Sequence, residues 1–323
     1  MATPAFMPVA ATRVLAGSRS TAAEVRPVGA CVADTWLAQL ATTALIEEAQ
    51  LTPKPALVDR RGSGAHRDLD LDTMVRSAQA LEPTFAALSR AARHSAPSAT
   101  LRAELAQIGR AGEQAMMQAT GGSNAHRGAI WIVGLLVAGA ALVDTRAAVP
   151  VGTAGFDLAS TVCMLAAQIA CFPDRFAAPS DSHGERARQR YQVGGARREA
   201  QDGFPHVIAI GLPALLKARA NGAAEDAARL DALLAIMASL DDTCLLHRAG
   251  LPGLQAGQQG ARRVLELGGS STVTGRAALA ELDHTLLSLN ASPGGAADLL
   301  AATLFIDMLV RLGTGGSQAS WKI

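Results

Sequence analysis

The sequence predicts an all-α fold: a single large multi-helix, bundle-like domain whose active site is formed by loops and helix ends. Helical periodicity recurs along nearly the whole chain, while period-2 alternation is almost absent. Hydrophobic residues make up 49% of the 323 residues and aromatics only 3%, with alanine and leucine dominant, which favours helices packed closely through small side chains. Glycine and proline gather at intervals that suit caps and turns.

Residues 1–25 are rich in Ala, Ser, Thr and Pro and hold no acid before Glu24. Lacking a long apolar core, they are expected to be disordered, with residues 26–323 forming the helical domain. Helices are expected near 30–50, 70–93, 98–119, 127–144, 156–171, 183–200, 205–220, 225–241, 255–267, 275–289 and 295–312. The breaks fall at Pro53/Pro55, Gly121/Gly122, Pro150/Gly152, Pro173/Pro179, Gly203/Pro205, Gly250/Pro252, Gly268/Gly269 and Pro293/Gly294/Gly295, each a cap or a turn. Asp70 or Asp72 can cap the second helix, and Ser292 and Pro293 can open the last. Asp298 then lies inside that last helix on a face of Ala and Leu, where an unpaired carboxylate is expensive and a partner is required.

A net charge of +1, three Trp and one Tyr leave neither a basic field nor a stacking surface for polymeric nucleic acid. Cys31, Cys163, Cys171 and Cys244 have no CxxC or metal-type spacing, which reads as reduced thiols in a cytoplasmic protein. The apolar run from Ala129 to Val143 is too short to span a bilayer comfortably, so it reads as a buried central helix and no membrane partner is expected.

Five polar clusters stand out from this background. In the first, Leu51 to Asp70, Lys54 between Pro53 and Pro55 is pushed out of the helical region into an extended turn that suits a phosphate. Asp59, Arg60, Arg61, His66, Arg67, Asp68 and Asp70 follow, and Glu47 and Glu48 precede it. Such a stretch either coordinates a ligand or is a solvated connector. The second, Gly121 to Gly128, leads with His126 and Arg127 into the apolar helix; it is an anion site or a helix cap, and no P-loop, since the spacing fails. The third runs from His183 through Glu185 and Arg186 to Tyr191, Arg197 and Glu199, where i,i+4 pairing on a solvated face is the bland account. The fourth, Asp241-Asp242-Thr243 with His247 and Arg248, suits a hard cation such as Mg²⁺ or a surface pair at a helix C-terminus. The fifth is Asn290 to Gly295, with Asp298 one turn later.

TPKPALVDRRGSGAHRDLD, SNAHRGAI, HGERARQRY with GGARREAQDGFP, DDTCLLHR and NASPGGAADLLAATLF resemble, in order and spacing, the triphosphoribosyl-dephospho-CoA synthase family. The resemblance runs from Glu47 to Asp307. The Asp-Arg-Arg-Gly form of the first loop, Trp131 and the DDTCLLHR segment are more similar to the malonate decarboxylase branch than to the citrate lyase branch. Ala56, Ala125 and Ala249 depart from the family pattern, where glycine, threonine and glycine are common; all are small-for-small changes.

The resemblance implies an all-helical enzyme that transfers the 5-triphosphoribosyl group of ATP to the 2′-hydroxyl of 3′-dephospho-CoA and releases adenine. Its product is the precursor of the prosthetic group of an acyl-carrier subunit, so a holo-acyl-carrier transferase is an expected partner. The breaking bond is N-glycosidic, which makes the triphosphate a handle and calls for carboxylates around an oxocarbenium-like state. On that basis Asp59, His66, His183, Glu185 and Asp298 are the candidate catalytic residues. Lys54, Arg60, His126, Arg127, Arg197 and Asn290 are the candidates for holding nucleotide, and Glu47, Glu48, Asp59, Asp241 and Asp242 for holding Mg²⁺. A helical ADP-ribosyl-type glycohydrolase and a non-catalytic nucleotide-binding subunit are the competing readings.

Overall fold

The structure, a computed structural model, describes residues 32–143, 155–177 and 182–313. The described residues form twelve α-helices: α1 (Val32–Gln50), α2 (Leu71–Ala92), α3 (Ala99–Ala119), α4 (Arg127–Val143), α5 (Gly155–Cys171), α6 (His183–Tyr191), α7 (Gly195–Gln201), α8 (Leu212–Ala220), α9 (Glu225–Met237), α10 (Thr243–Glu266), α11 (Val273–Ser288) and α12 (Gly294–Gly313). None of them is long and apolar enough to cross a membrane. The expected disorder of residues 1–25, Cys31 and the breaks at Pro150/Gly152 and Pro179 lie outside the described residues.

Two helices make the axis of the core. From Ala129 to Leu142 nearly every residue of α4 is buried, and α12 is buried almost continuously from Leu299 to Leu309; helices apolar all round belong in the interior. Around them, α2 presents Ala78, Leu81, Phe85, Leu88 and Ala92 at helical spacing. Asp34 of α1 accepts hydrogen bonds from Ser89 (2.6 Å) and Arg93 (2.7 Å), fastening α1 to α2. Gly139 lets α4 and α5 approach: a Cβ there would stand 2.5 Å from the Val162 carbonyl oxygen.

Four expectations shift. The helix expected over 183–200 is two, because Gln192 (φ 57°), just past α6, and Gly195 (φ 60°), at the start of α7, take left-handed backbone. The one expected over 205–220 opens with a π-helical turn, His206–Gly211, before α8. The helix expected over 225–241 ends at Met237, and that expected over 255–267 begins at Thr243 with a kink at Gly250 (φ 65°, ψ −160°). Asp242 is therefore the N-cap of α10, where its side chain satisfies helix-start N–H groups, and not a surface acid at a helix C-terminus.

Candidate active site

The first loop is organised by its own charges. The Lys54 N–H donates to Asp59 Oδ2 (2.8 Å), and Arg61 donates to Asp59 Oδ2 (2.9 Å), to the Lys54 carbonyl (2.8 Å) and to Asp283 of α11 (2.9 Å). Asp283 also accepts the Ala56 N–H at 2.7 Å. Ala56 sits at φ 55°, so this departure from the family pattern places an alanine in backbone that glycine adopts without strain. The consequence is an inward Lys54: its side chain is 1% exposed and its Nζ lies 2.5 Å from Glu48 Oε1. Burial pushes the Glu48 carboxyl above the usual range, against the pull of Lys54.

Three helix starts meet beside this pair. Asp242 accepts the N–H groups of Cys244 (2.8 Å) and Leu245 (3.4 Å) in α10 and of Ala296 (2.9 Å) in α12, so one carboxylate ties two helix N-termini together. Asp298 of α12 reaches the third, taking the Ala129 N–H of α4 and lying over Gly128, where any Cβ would overlap its carboxylate. Burial first, then the negative charges of Glu48 and Asp242, hold the Asp298 carboxyl well above the usual range and favour its protonated form.

Two neutral histidines complete the centre. His66 Nε2 is 2.9 Å from Ser292 Oγ, and Arg248 is 3.1 Å from Nδ1. A guanidinium only donates, so Nδ1 accepts and Nε2–H donates to Ser292, leaving the serine O–H free for a substrate. Burial and Arg248 lower the His66 pKa to about 4. His126 packs its Nδ1 2.7 Å from Ser77 Oγ in α2, while its buried Nε2 has no partner. Burial and the charge of Lys54 lower it to about 3.

The remaining candidates lie elsewhere. Glu47, one residue from Glu48 but about 100° round the helix, pairs with Arg229 of α9 (2.8 Å). Arg60 faces solvent and donates to Gln50 (3.1 Å). Arg127 pairs with Glu113 of α3. His183 stacks on His247 with ring centroids 4.0 Å apart, and Glu185 accepts from Arg188 (2.6 Å) and Gln189 (3.1 Å), the local pairing of a solvated face. Arg197 is exposed in a hollow of about 390 Å³ shared with Arg188 and Arg198. Asn290 is exposed at φ 51°, closing the end of α11.

Of the carboxylates expected to cage Mg²⁺, only Glu48 and Asp242 approach one another, around Asp298. Glu47, Glu48, Asp59 and Asp242 are engaged by Arg229, Lys54, Arg61 and backbone N–H groups respectively, and Asp241 is exposed. Among the described residues no three His, Cys, Asp or Glu side chains stand together at metal spacing. As arranged, this donor set does not fit a preformed Mg²⁺ site. Ser77 and Asp283, which position His126 and the loop, are ordinary helix residues with no local signal in the sequence.

A model of the ATP:dephospho-CoA triphosphoribosyl transferase (CitG) family matches residues 34–315. The chain is 54% identical over 272 residues to the 2-(5''-triphosphoribosyl)-3'-dephosphocoenzyme-A synthase of Klebsiella pneumoniae, covering 84% of this chain and 94% of that one. Relatives named "Probable 2-(5''-triphosphoribosyl)-3'-dephosphocoenzyme-A synthase" include that of Azotobacter vinelandii, 57% identical over 274 residues (84% and 90% of the two chains). That of Pseudomonas aeruginosa strain UCBPP-PA14 is 56% identical over 289 residues (89% and 94%). No solved structure matches. With its helical core and polar centre matched across almost the whole described length, this chain belongs to the ATP:dephospho-CoA triphosphoribosyl transferase family.

Proposed function

We propose that this enzyme transfers the 5-triphosphoribosyl group of ATP to the 2′-hydroxyl of 3′-dephospho-CoA in the cytoplasm, and that its product serves the acyl-carrier subunit of malonate decarboxylase through a holo-acyl-carrier transferase. The observation that carries the chemistry is Asp298, held over the start of α4 beside Glu48 and Asp242.

The ribose C1–N9 bond breaks, the C1–O2′ bond forms, the 2′-hydroxyl loses a proton and adenine gains one. Asp298, half-buried and held toward its protonated form beside Glu48 and Asp242, gives its proton to the departing adenine. Glu48, whose carboxylate is kept in place by Lys54, takes the proton of the 2′-hydroxyl, and its charge favours the oxocarbenium-like state. Proton exchange between Glu48 and Asp298 resets the pair. The free Ser292 hydroxyl, set by His66, and the unpartnered His126 Nε2 orient sugar and base. Arg60 and Arg248, exposed on the rim, supply charge for the triphosphate. Mg²⁺ enters as part of the MgATP substrate, as is usual for an ion held largely by phosphate oxygens.

The malonate decarboxylase assignment rests on Asp59-Arg60-Arg61-Gly62, Trp131 and the segment beginning Asp241-Asp242. The test is adenine release from ATP with and without dephospho-CoA, followed by transfer of the product to apo-carriers of both decarboxylase and lyase types. Release that proceeds equally without dephospho-CoA means a glycohydrolase, and ATP binding without release means a non-catalytic subunit.

A further inference from the structure

A second polar site shares α4 with the centre. A cavity of about 220 Å³ opens between α2, α3 and α4, with Leu88, Leu105, Ile130 and Leu135 in its lining and Arg102, Arg110 and Arg127 around them. Arg127, in its wall, is the sequence neighbour of Gly128, against which Asp298 packs.

Arg102 is the unusual member. It is only 7% exposed, and its Nε is buried with no hydrogen-bond partner. Its guanidinium stacks 4.8 Å from the centre of the Trp131 ring. Asp174 attracts it, while Arg197 and Arg110 repel it. Asp174, however, is engaged by Arg110 (2.7 Å) and by the Phe176 N–H (3.0 Å). Arg110 and Arg127 each have a carboxylate, Asp174 and Glu113. Arg102 has no ion pair of its own, only the longer-range attraction of an Asp174 already engaged by Arg110, and a buried cation so weakly compensated is costly unless a ligand adds charge. The cavity thus offers a weakly compensated, largely buried guanidinium beside a small apolar chamber.

We propose that this cavity binds dephospho-CoA, with Arg102 taking its diphosphate and the apolar lining taking its uncharged pantetheine arm. The choice of ligand rests on the transferase reading above. ATP shares the polyphosphate but has no arm to fill the chamber, and dephospho-CoA carries both. Placed here, the acceptor approaches the centre along the N-terminal turn of α4.

The test is calorimetric binding of dephospho-CoA, ATP, ADP and pantetheine to the full chain and two variants. Arg102→Met keeps the stacked stem and removes the charge; Gly109→Leu, at a cavity-lining position of α3 whose Cβ would meet Ile130 only at 3.7 Å, fills the chamber. Arg102→Met is expected to weaken dephospho-CoA at least tenfold and leave ATP unchanged, with Arg102→Lys recovering most of the loss. Gly109→Leu is expected to bring dephospho-CoA down to the affinity of ADP. Thermal melting checks that each variant is folded, and the two variants fail independently, so either folded one suffices. Wild-type affinity for dephospho-CoA in a folded variant overturns the site, and a loss of ATP affinity instead assigns the arginines to the triphosphate. Tight dephospho-CoA binding without adenine release overturns the transferase reading and leaves the site standing.

Discussion

Asp298, one turn into α12, lies directly over Gly128 and accepts the Ala129 N–H at the start of α4, which leaves no room for a side chain at residue 128. Glycine-to-alanine changes in helices ordinarily stabilise by roughly 0.5–1 kcal/mol. Gly128→Ala is expected to do the reverse, costing about 1–3 kcal/mol by overpacking and lowering turnover on the order of 100-fold by displacing the acid. Denaturant melts and adenine release read both effects; a stabilised, fully active variant would place Asp298 outside the chemistry.

The Lys54–Glu48 pair is buried on both sides, so removing one partner strands a charge. Lys54→Met is expected to cost roughly 3–5 kcal/mol, and adding Glu48→Gln to recover much of that. Activity should stay lost in the double variant, because Glu48 is the proposed base. Recovery of turnover together with stability would reduce the pair to a structural role.

Gly64 and Gly121 are both exposed with positive φ, 56° and 64°, but only Gly64 is crowded on its Cβ side: a Cβ there would stand 2.5 Å from the carbonyl oxygens of Ala56 and Leu57, while one at Gly121 meets nothing. Gly121→Ala is expected to cost only the left-handed strain, about 1–2 kcal/mol. Gly64→Ala should exceed that by a further 1–3 kcal/mol or so and disable the loop. Equal melting temperatures for the two variants would show that the loop relaxes around the clash.

His126 has an acid-side signature. Its folded pKa of about 3 lies below its ordinary value near 6.5, so between those values the proton binds the unfolded chain and not the fold. Stability is present above pH 6.5 and lost as pH falls through the window, by roughly 1.4 kcal/mol per pH unit for one such histidine. His66 adds the same sign down to about pH 4. Urea titrations between pH 7 and 4.5 should show the slope, and His126→Gln should remove about half of it; an unchanged slope would mean the ring is protonated in the fold.

The helices were legible because burial periodicity is a local property: α1 to α5 lie within a residue or two of their expected spans. The misreadings fall where left-handed or kinked backbone interrupts a helical pattern, at Gln192, Gly195 and Gly250, since single dihedral choices leave little trace in composition. Of the candidate residues, Lys54, Glu48, His66, His126, Asp242 and Asp298 come together. Glu47 is drawn into an ion pair with distant α9 and Arg127 into one with neighbouring α3, which no spacing along the chain announces.

By itself, then, the sequence determined that this protein is helical, where its polar clusters lie and which family motifs they carry, because periodicity, turn residues and motif order are written along one dimension. Only the tertiary structure decided which carboxylate faces which helix start. It committed Asp59 to the loop and Asp242 to two N-termini, kept Asp298 unpaired by any cation, and left Arg102 without an ion pair of its own. Those outcomes depend on burial and on charges brought together from far apart in the chain, and electrostatic energy follows distance in space, not separation in sequence.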